Sequence, residues 1–195
     1  KIFPLPYHTN RLAELDEVSI SYGDNVVCSH VNFSIEQGDR IALLGKNGSG
    51  KSSILKLICG EDISYSGSFT KSGSLKISYV SQDTTDLSGS LADYVRYNRL
   101  DESLFKAILR KLDFSREQFD VRLEDFSGGQ KKKVLIARSL CEQAHLYIWD
   151  EPLNYIDILS RMQIEELLLK YRPTILFVEH DSAFCSQVAT KIVEL

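Results

Sequence analysis

Gly45-Lys46-Asn47-Gly48-Ser49-Gly50-Lys51-Ser52 is the stretch that decides the fold. It fits G-x-x-x-x-G-K-[ST] at every fixed position, and it stands between a short apolar run, Arg40–Leu44, and a helical segment, residues 51–58, that ends at Gly60. Strand, glycine loop, helix is the order a phosphate-binding loop requires. Glycines let the backbone curl so that successive N–H groups point inward at phosphate oxygens, and the start of the following helix adds partial positive charge. Gly45, Asn47, Gly48, Ser49, Gly50 and Ser53 are therefore candidate phosphate contacts. Lys51 is placed to reach β- and γ-phosphates, and the Ser52 hydroxyl to ligate Mg²⁺.

Upstream of this loop, residues 12–22 and 26–35 alternate polar and apolar side chains around a Gly23-Asp24-Asn25 turn, the pattern of a β-hairpin. Residues 1–11 carry two prolines and no periodicity, which suits the tail of a linker. Downstream, residues 68–81 are β-rich. Residues 90–112 are helical and charged without Gly or Pro, and they open a small helical lobe over about 90–141. From residue 127 helix and apolar strand alternate: helix to about 141, strand 146–149, helix 158–170, strand 174–178, helix 182–189, strand 192–195. Such alternation predicts an α/β fold with a mainly parallel sheet.

The chain has 195 residues, 43% of them hydrophobic, with 23 Lys+Arg against 27 Asp+Glu and a net charge of −4. That composition supports a sizeable core and argues against a simple nucleic-acid-binding module, which carries a basic excess. Apolar runs stop after four residues, far short of the roughly 20 that a spanning helix needs, so no membrane insertion is expected. Cys28, Cys59, Cys141 and Cys185 are widely spaced among apolar neighbours, as expected of reduced thiols in the cytosol. Lys131-Lys132-Lys133 fan out by about 100° each on a helix, and a solvated helix start is the expected outcome. The first residue is Lys1, so the chain is expected to be part of something longer.

A second chemical signal lies in Leu146-Tyr147-Ile148-Trp149-Asp150-Glu151, an apolar strand that ends in two carboxylates. Parallel α/β sheets place their ligands at the C-terminal edge of the strands. There Asp150 can hold a metal ion and Glu151 can polarise an attacking water, which makes hydrolysis, and not binding alone, the expected chemistry.

Phe126-Ser127-Gly128-Gly129-Gln130, just ahead of that strand, completes a set that closely resembles the ATP-binding cassette (ABC) family. The resemblance implies ATP and Mg²⁺ as ligands and an N-terminal antiparallel β part beside the parallel core. It also implies that Ser127, Gly128, Gly129 and Gln130 bind the γ-phosphate of a nucleotide held by a second cassette. Tyr22 resembles the aromatic that stacks on adenine, Gln82 the glutamine that touches Mg²⁺ and the attacking water, and His180 the switch histidine of the γ-phosphate. Asp157 resembles the aspartate of a loop that crosses the dimer interface.

Asp150-Glu151-Pro152-Leu153-Asn154-Tyr155-Ile156-Asp157 is similar to the ABC-F branch, which usually reads E-P-T-N-H-L-D. With Ser160-Arg161-Met162-Gln163-Ile164-Glu165-Glu166 it looks most like the antibiotic-resistance members of the Lsa and Vga type. Those protect ribosomes from lincosamides, streptogramin A and pleuromutilins. The resemblance then implies a cytoplasmic protein in which residues 12–195 form the second, C-terminal cassette and residues 1–11 end the linker between cassettes. Its partners would be the N-terminal cassette of the same chain, or a head-to-tail copy of this one, and the ribosome. A housekeeping ABC-F translation factor and the nucleotide-binding subunit of a membrane transporter are the alternatives.

Overall fold

The computed structural model describes residue 2 and residues 4–195, so positions 1 and 3 of the expected linker stretch lie outside the described residues. Among the described residues eight strands and six α-helices follow in the order β1 (Arg11–Tyr22), β2 (Asn25–Glu36), β3 (Arg40–Leu44), α1 (Lys51–Cys59), β4 (Tyr65–Lys71), β5 (Ile77–Val80), α2 (Leu91–Tyr97), α3 (Glu102–Lys111), α4 (Gly128–Cys141), β6 (Leu146–Asp150), α5 (Ile158–Tyr171), β7 (Ile175–Val178), α6 (Ser182–Val188) and β8 (Lys191–Glu194). The strands form two sheets. One is antiparallel in the order β2-β1-β4; the other is parallel in the order β5-β6-β7-β3-β8.

The parallel sheet is covered on both faces, which is why β6 and β7 read as unbroken apolar runs, buried at every position. Successive side chains still divide by parity. Tyr147, Trp149, Ile175 and Phe177 face a core built with α2 to α6, whereas Leu146, Ile148, Leu176 and Val178 face a second core shared with α1 and the antiparallel sheet. The two layers pin β6 and β7 side by side. Their C-terminal ends, where Asp150 and Val178 pair, therefore lie at one fixed edge.

The helical region expected over residues 90–112 consists of two helices, α2 and α3. Arg99 turns left-handed at φ 53°, and the Asp101 carboxylate accepts the Leu104 N–H at 2.9 Å to start α3 afresh. A capping side chain competes with helix continuation, and here it wins because the restart lets Phe105, Ile108 and Leu109 bury against the main core.

β1 is bent where its pairing register shifts between Leu15 and Val18, with Glu17 at φ 53°. Gly67 of β4 fits against that bend at φ +87°, and a Cβ there would sit 2.2 Å from the Glu17 carbonyl oxygen. Gly67→Ala is expected to cost about 3 kcal/mol, the sum of left-handed strain and overpacking. Urea unfolding checks this: the midpoint should fall while the slope stays unchanged.

Candidate functional site

Five of the six α-helices receive a side-chain cap at their first turn, from Ser90, Asp101, Ser127, Asp157 and Asp181. α1 does not. Gly50 precedes it without a capping group, and no acidic residue occupies its first turn, so its orphan N–H groups are left for a ligand. These groups line a cavity of about 520 Å³, together with Asn47, Gly48, Lys51, Ser53 and, from across the cavity, Gln82, Glu151 and His180. The Lys51 ammonium, only 7% exposed, donates to the carbonyls of Gly45 and Lys46 at 2.8 Å each, which holds it inside the loop.

Asp150 ends β6 with 2% exposure, and its Oδ1 is buried without a hydrogen-bond partner. Burial pushes its carboxyl up, against a pull downward from the neighbouring Ser52 hydroxyl. A buried carboxylate oxygen with a free lone pair beside a hydroxyl fits a hard cation. One carboxylate and one hydroxyl side by side suit Mg²⁺, which completes its shell with water and phosphate oxygens.

Glu151 lies one residue beyond the strand at φ 48°, a left-handed backbone that costs energy for a non-glycine residue and is typical of functional turns. Its N–H continues the ladder to the Val178 carbonyl at 3.0 Å. Three side chains then meet on its carboxylate. Oε2 accepts from the Gln82 amide at 3.1 Å and from the Asn154 amide at 2.5 Å, and Oε1 lies 3.2 Å from His180 Nε2. His180 and the Leu153 turn share an anchor: Glu179, 5% exposed, accepts the His180 N–H at 2.9 Å and the Leu153 N–H at 3.0 Å.

Tyr22 stands at the rim. Its ring is 51% exposed and its hydroxyl lies 3.0 Å from Ser53 Oγ, so a face is open to stacking beside the phosphate loop. Gly45 and Ser49 lie in the loop's base, the Ser49 hydroxyl being buried without a partner.

Ser127, Gly128, Gly129 and Gln130 are not among the residues of this cavity. Ser127 and Gln130 form a reciprocal capping box on α4, which leaves the N–H groups of Gly128 and Gly129 without a side-chain cap. Gly129 lies against the Tyr155 backbone, where a Cβ would meet the carbonyl oxygen at 2.3 Å. Asp157 is in the same loop and pairs with Lys133 Nζ at 2.6 Å. Although burial alone would raise its carboxyl, the Lys133 ammonium and the Ser160 N–H and hydroxyl outweigh it and hold Asp157 well below the usual carboxylate range.

The expectation of a solvated lysine run is overturned. Lys132 is 1% exposed and Lys133 7% exposed, because carboxylates and carbonyls from distant segments surround them. All four cysteines are free, and burial with nearby negative charge pushes the Cys59 thiol up to about 12, so it is inert. Asn154, Glu179 and Lys132 are the site residues that the motif reading passed over. Asn154 lies inside the Asp150-to-Asp157 run, and Glu179 directly follows an apolar strand as Glu151 does, so both carry a usable signal.

Fold and site define a phosphate-loop domain that binds nucleotide at the edge of a parallel sheet. A profile of the ABC transporter family matches residues 28–154, and the chain belongs to that family as its ATP-binding domain. It is 32% identical over 180 residues to the ribosome protection protein VmlR of Bacillus subtilis (strain 168), covering 89% of this chain and 32% of that protein. It is 28% identical over 180 residues to ABC transporter F family member 2 of Arabidopsis thaliana, covering 89% and 26%. The chain spans about a third of the length of the first curated relatives. An ATP-binding subunit of an ABC transporter superposes with a TM-score of 0.75 at 26% identity, over 94% of this chain and 85% of that one. A bacterial Atm1-family ABC exporter with ATP bound has the same fold, with a TM-score of 0.82 at 19% identity over 99% and 39%. Among the described residues no helix is long and apolar enough to cross a membrane.

Proposed function

We propose that this chain is the ATP-hydrolysing second cassette of an ABC-F protein, of the Lsa/Vga-like antibiotic-resistance type, that binds the ribosome in the cytoplasm. The observation that carries the hydrolytic part is the single cavity in which the phosphate loop faces a carboxylate held by Gln82, Asn154 and His180. The ribosomal part is supported by the Glu151-to-Asp157 run and by the likeness to VmlR across most of the chain.

In this mechanism the α1 N-terminus, the loop N–H groups and Lys51 bind the triphosphate, and Tyr22 stacks on the adenine. Asp150, Ser52 and Gln82 would hold Mg²⁺, which supplies charge neutralisation at the β- and γ-phosphates when bound. Glu151, poised by its three neighbours, takes a proton from the attacking water, and His180 donates to the γ-phosphate. Because Ser127 to Gln130 and Asp157 lie away from this chain's cavity, they act on a nucleotide held by a second cassette. That cassette is the N-terminal one of the same parent chain, or a head-to-tail copy of this domain, and it completes this cavity in return.

A ribosome-pelleting assay tests the proposal on the full-length protein. With Glu151→Gln, ATP should hold the protein on ribosomes, raising the pelleted fraction about tenfold over ADP, since ATP that is not consumed keeps the closed state populated. Equal pelleting with ATP and ADP rejects the ribosomal reading.

A further inference from the structure

The Lys132 ammonium is placed behind the catalytic cavity, where no charge was expected. Residue 132 lies in the second turn of α4, the helix headed by the Ser127–Gln130 turn, and it is 1% exposed. Its Nζ donates to the carbonyl of Ser81 at 2.9 Å and to that of Gln82 at 3.3 Å. Burial pulls this ammonium down from its ordinary range, and the charges of Asp150, Glu151, Glu179 and Asp83 oppose that pull. A buried cation is expensive, and an apolar side chain of the same length would fill the space at lower cost. Packing therefore does not account for a lysine here. What only the lysine supplies is a donor to two consecutive carbonyls of the segment that carries Gln82.

We propose that Lys132 is a positioning residue for Gln82, an inference that rests on the function proposed above. By fixing the Ser81–Gln82 backbone to α4, it sets the point from which the Gln82 amide reaches Glu151 Oε2 at 3.1 Å. The same helix carries the turn assigned to the opposite nucleotide, and Lys133, the next residue, ties it to Asp157. A displacement of that turn is thereby passed to the group that orients the catalytic carboxylate. The bond to the backbone, and not to a side chain, means that Gln82 keeps its amide free for Glu151 while its main chain is held.

The test is a double-mutant cycle in the full-length protein, with phosphate release read alongside binding of a fluorescent ATP analogue. Lys132→Met should lower kcat about tenfold and leave ATP affinity within about twofold, the split expected when an interaction acts on the chemical step. Added to Gln82→Ala, it should cost less than about twofold more, because the two residues act through one contact. If Lys132→Met does not fold by thermal melting, Lys132→Leu, which also lacks a donor, carries the same cycle with the same criteria. Additive losses, or an affinity loss equal to the loss in kcat, overturn the positioning role. Glu151→Gln separates the two levels. If it is inactive while Lys132→Met turns over normally, only the Lys132 role fails, whereas normal turnover in Glu151→Gln overturns the hydrolytic reading itself.

Discussion

Replacing Glu151 with glutamine is expected to lower ATP turnover by at least about a hundredfold while ATP affinity stays within about twofold, the range that loss of a general base commands. The substitution is informative because it removes so little else. Glutamine has the same length, and its amide oxygen can accept from Gln82 and Asn154 as Oε2 does at 3.1 and 2.5 Å. The position facing His180 Nε2 at 3.2 Å can be kept by choice of the imidazole tautomer. The left-handed backbone at residue 151 is no harder for glutamine than for glutamate, so the Leu153–Asp157 loop keeps its course. What is lost is the capacity to take a proton. Phosphate release measured beside binding of a fluorescent ATP analogue checks both halves, and normal turnover would remove Glu151 from the role given to it.

That such a test can be designed reflects how local the main signals are. The phosphate loop is a short-range device whose glycines, lysine and serine lie within eight consecutive residues, and the strand and helix around it follow from apolar periodicity alone. Arg40–Leu44, β6 and β7 were legible for the same reason: strands buried on both faces leave unbroken apolar runs. The joint between α2 and α3 was not legible, because Arg99 adopts a left-handed turn that no glycine announces. The buried lysines are a different case. Whether a lysine on a helix meets water or a carboxylate depends on segments far away in the chain, here Ser81 and Gln82 at about fifty residues' distance and Asp157 across the next strand. Charge and helical spacing could not reveal that. The gathering of Gln82 and His180 on the Glu151 carboxylate is likewise a product of topology, since β5, β6 and β7 are neighbours in the sheet but lie far apart in the chain, whereas Asn154 reaches it from only three residues away.

The second large effect is expected at Lys51, and it is opposite in kind. Lys51→Met should lower ATP affinity by about a hundredfold, as expected for loss of one or two charge-assisted hydrogen bonds to phosphate at about 1.5–3 kcal/mol each. Methionine fills much the same volume, so α1 should keep its packing through Ile54, Leu55 and Ile58, which belong to the core under the antiparallel sheet. The loop itself becomes less stable without ligand, because the carbonyls of Gly45 and Lys46 lose the ammonium that now joins them at 2.8 Å. Thermal melting with and without Mg²⁺ and ATP separates these consequences. Wild type and Glu151→Gln should both gain stability on adding ATP, by RT ln(1 + [L]/Kd), and Lys51→Met should gain almost none at the same concentration. An unchanged ATP shift in Lys51→Met would mean that the nucleotide binds somewhere other than the cavity at the start of α1. The phosphate loop would then lose the triphosphate-binding role assigned to it at this edge of the sheet.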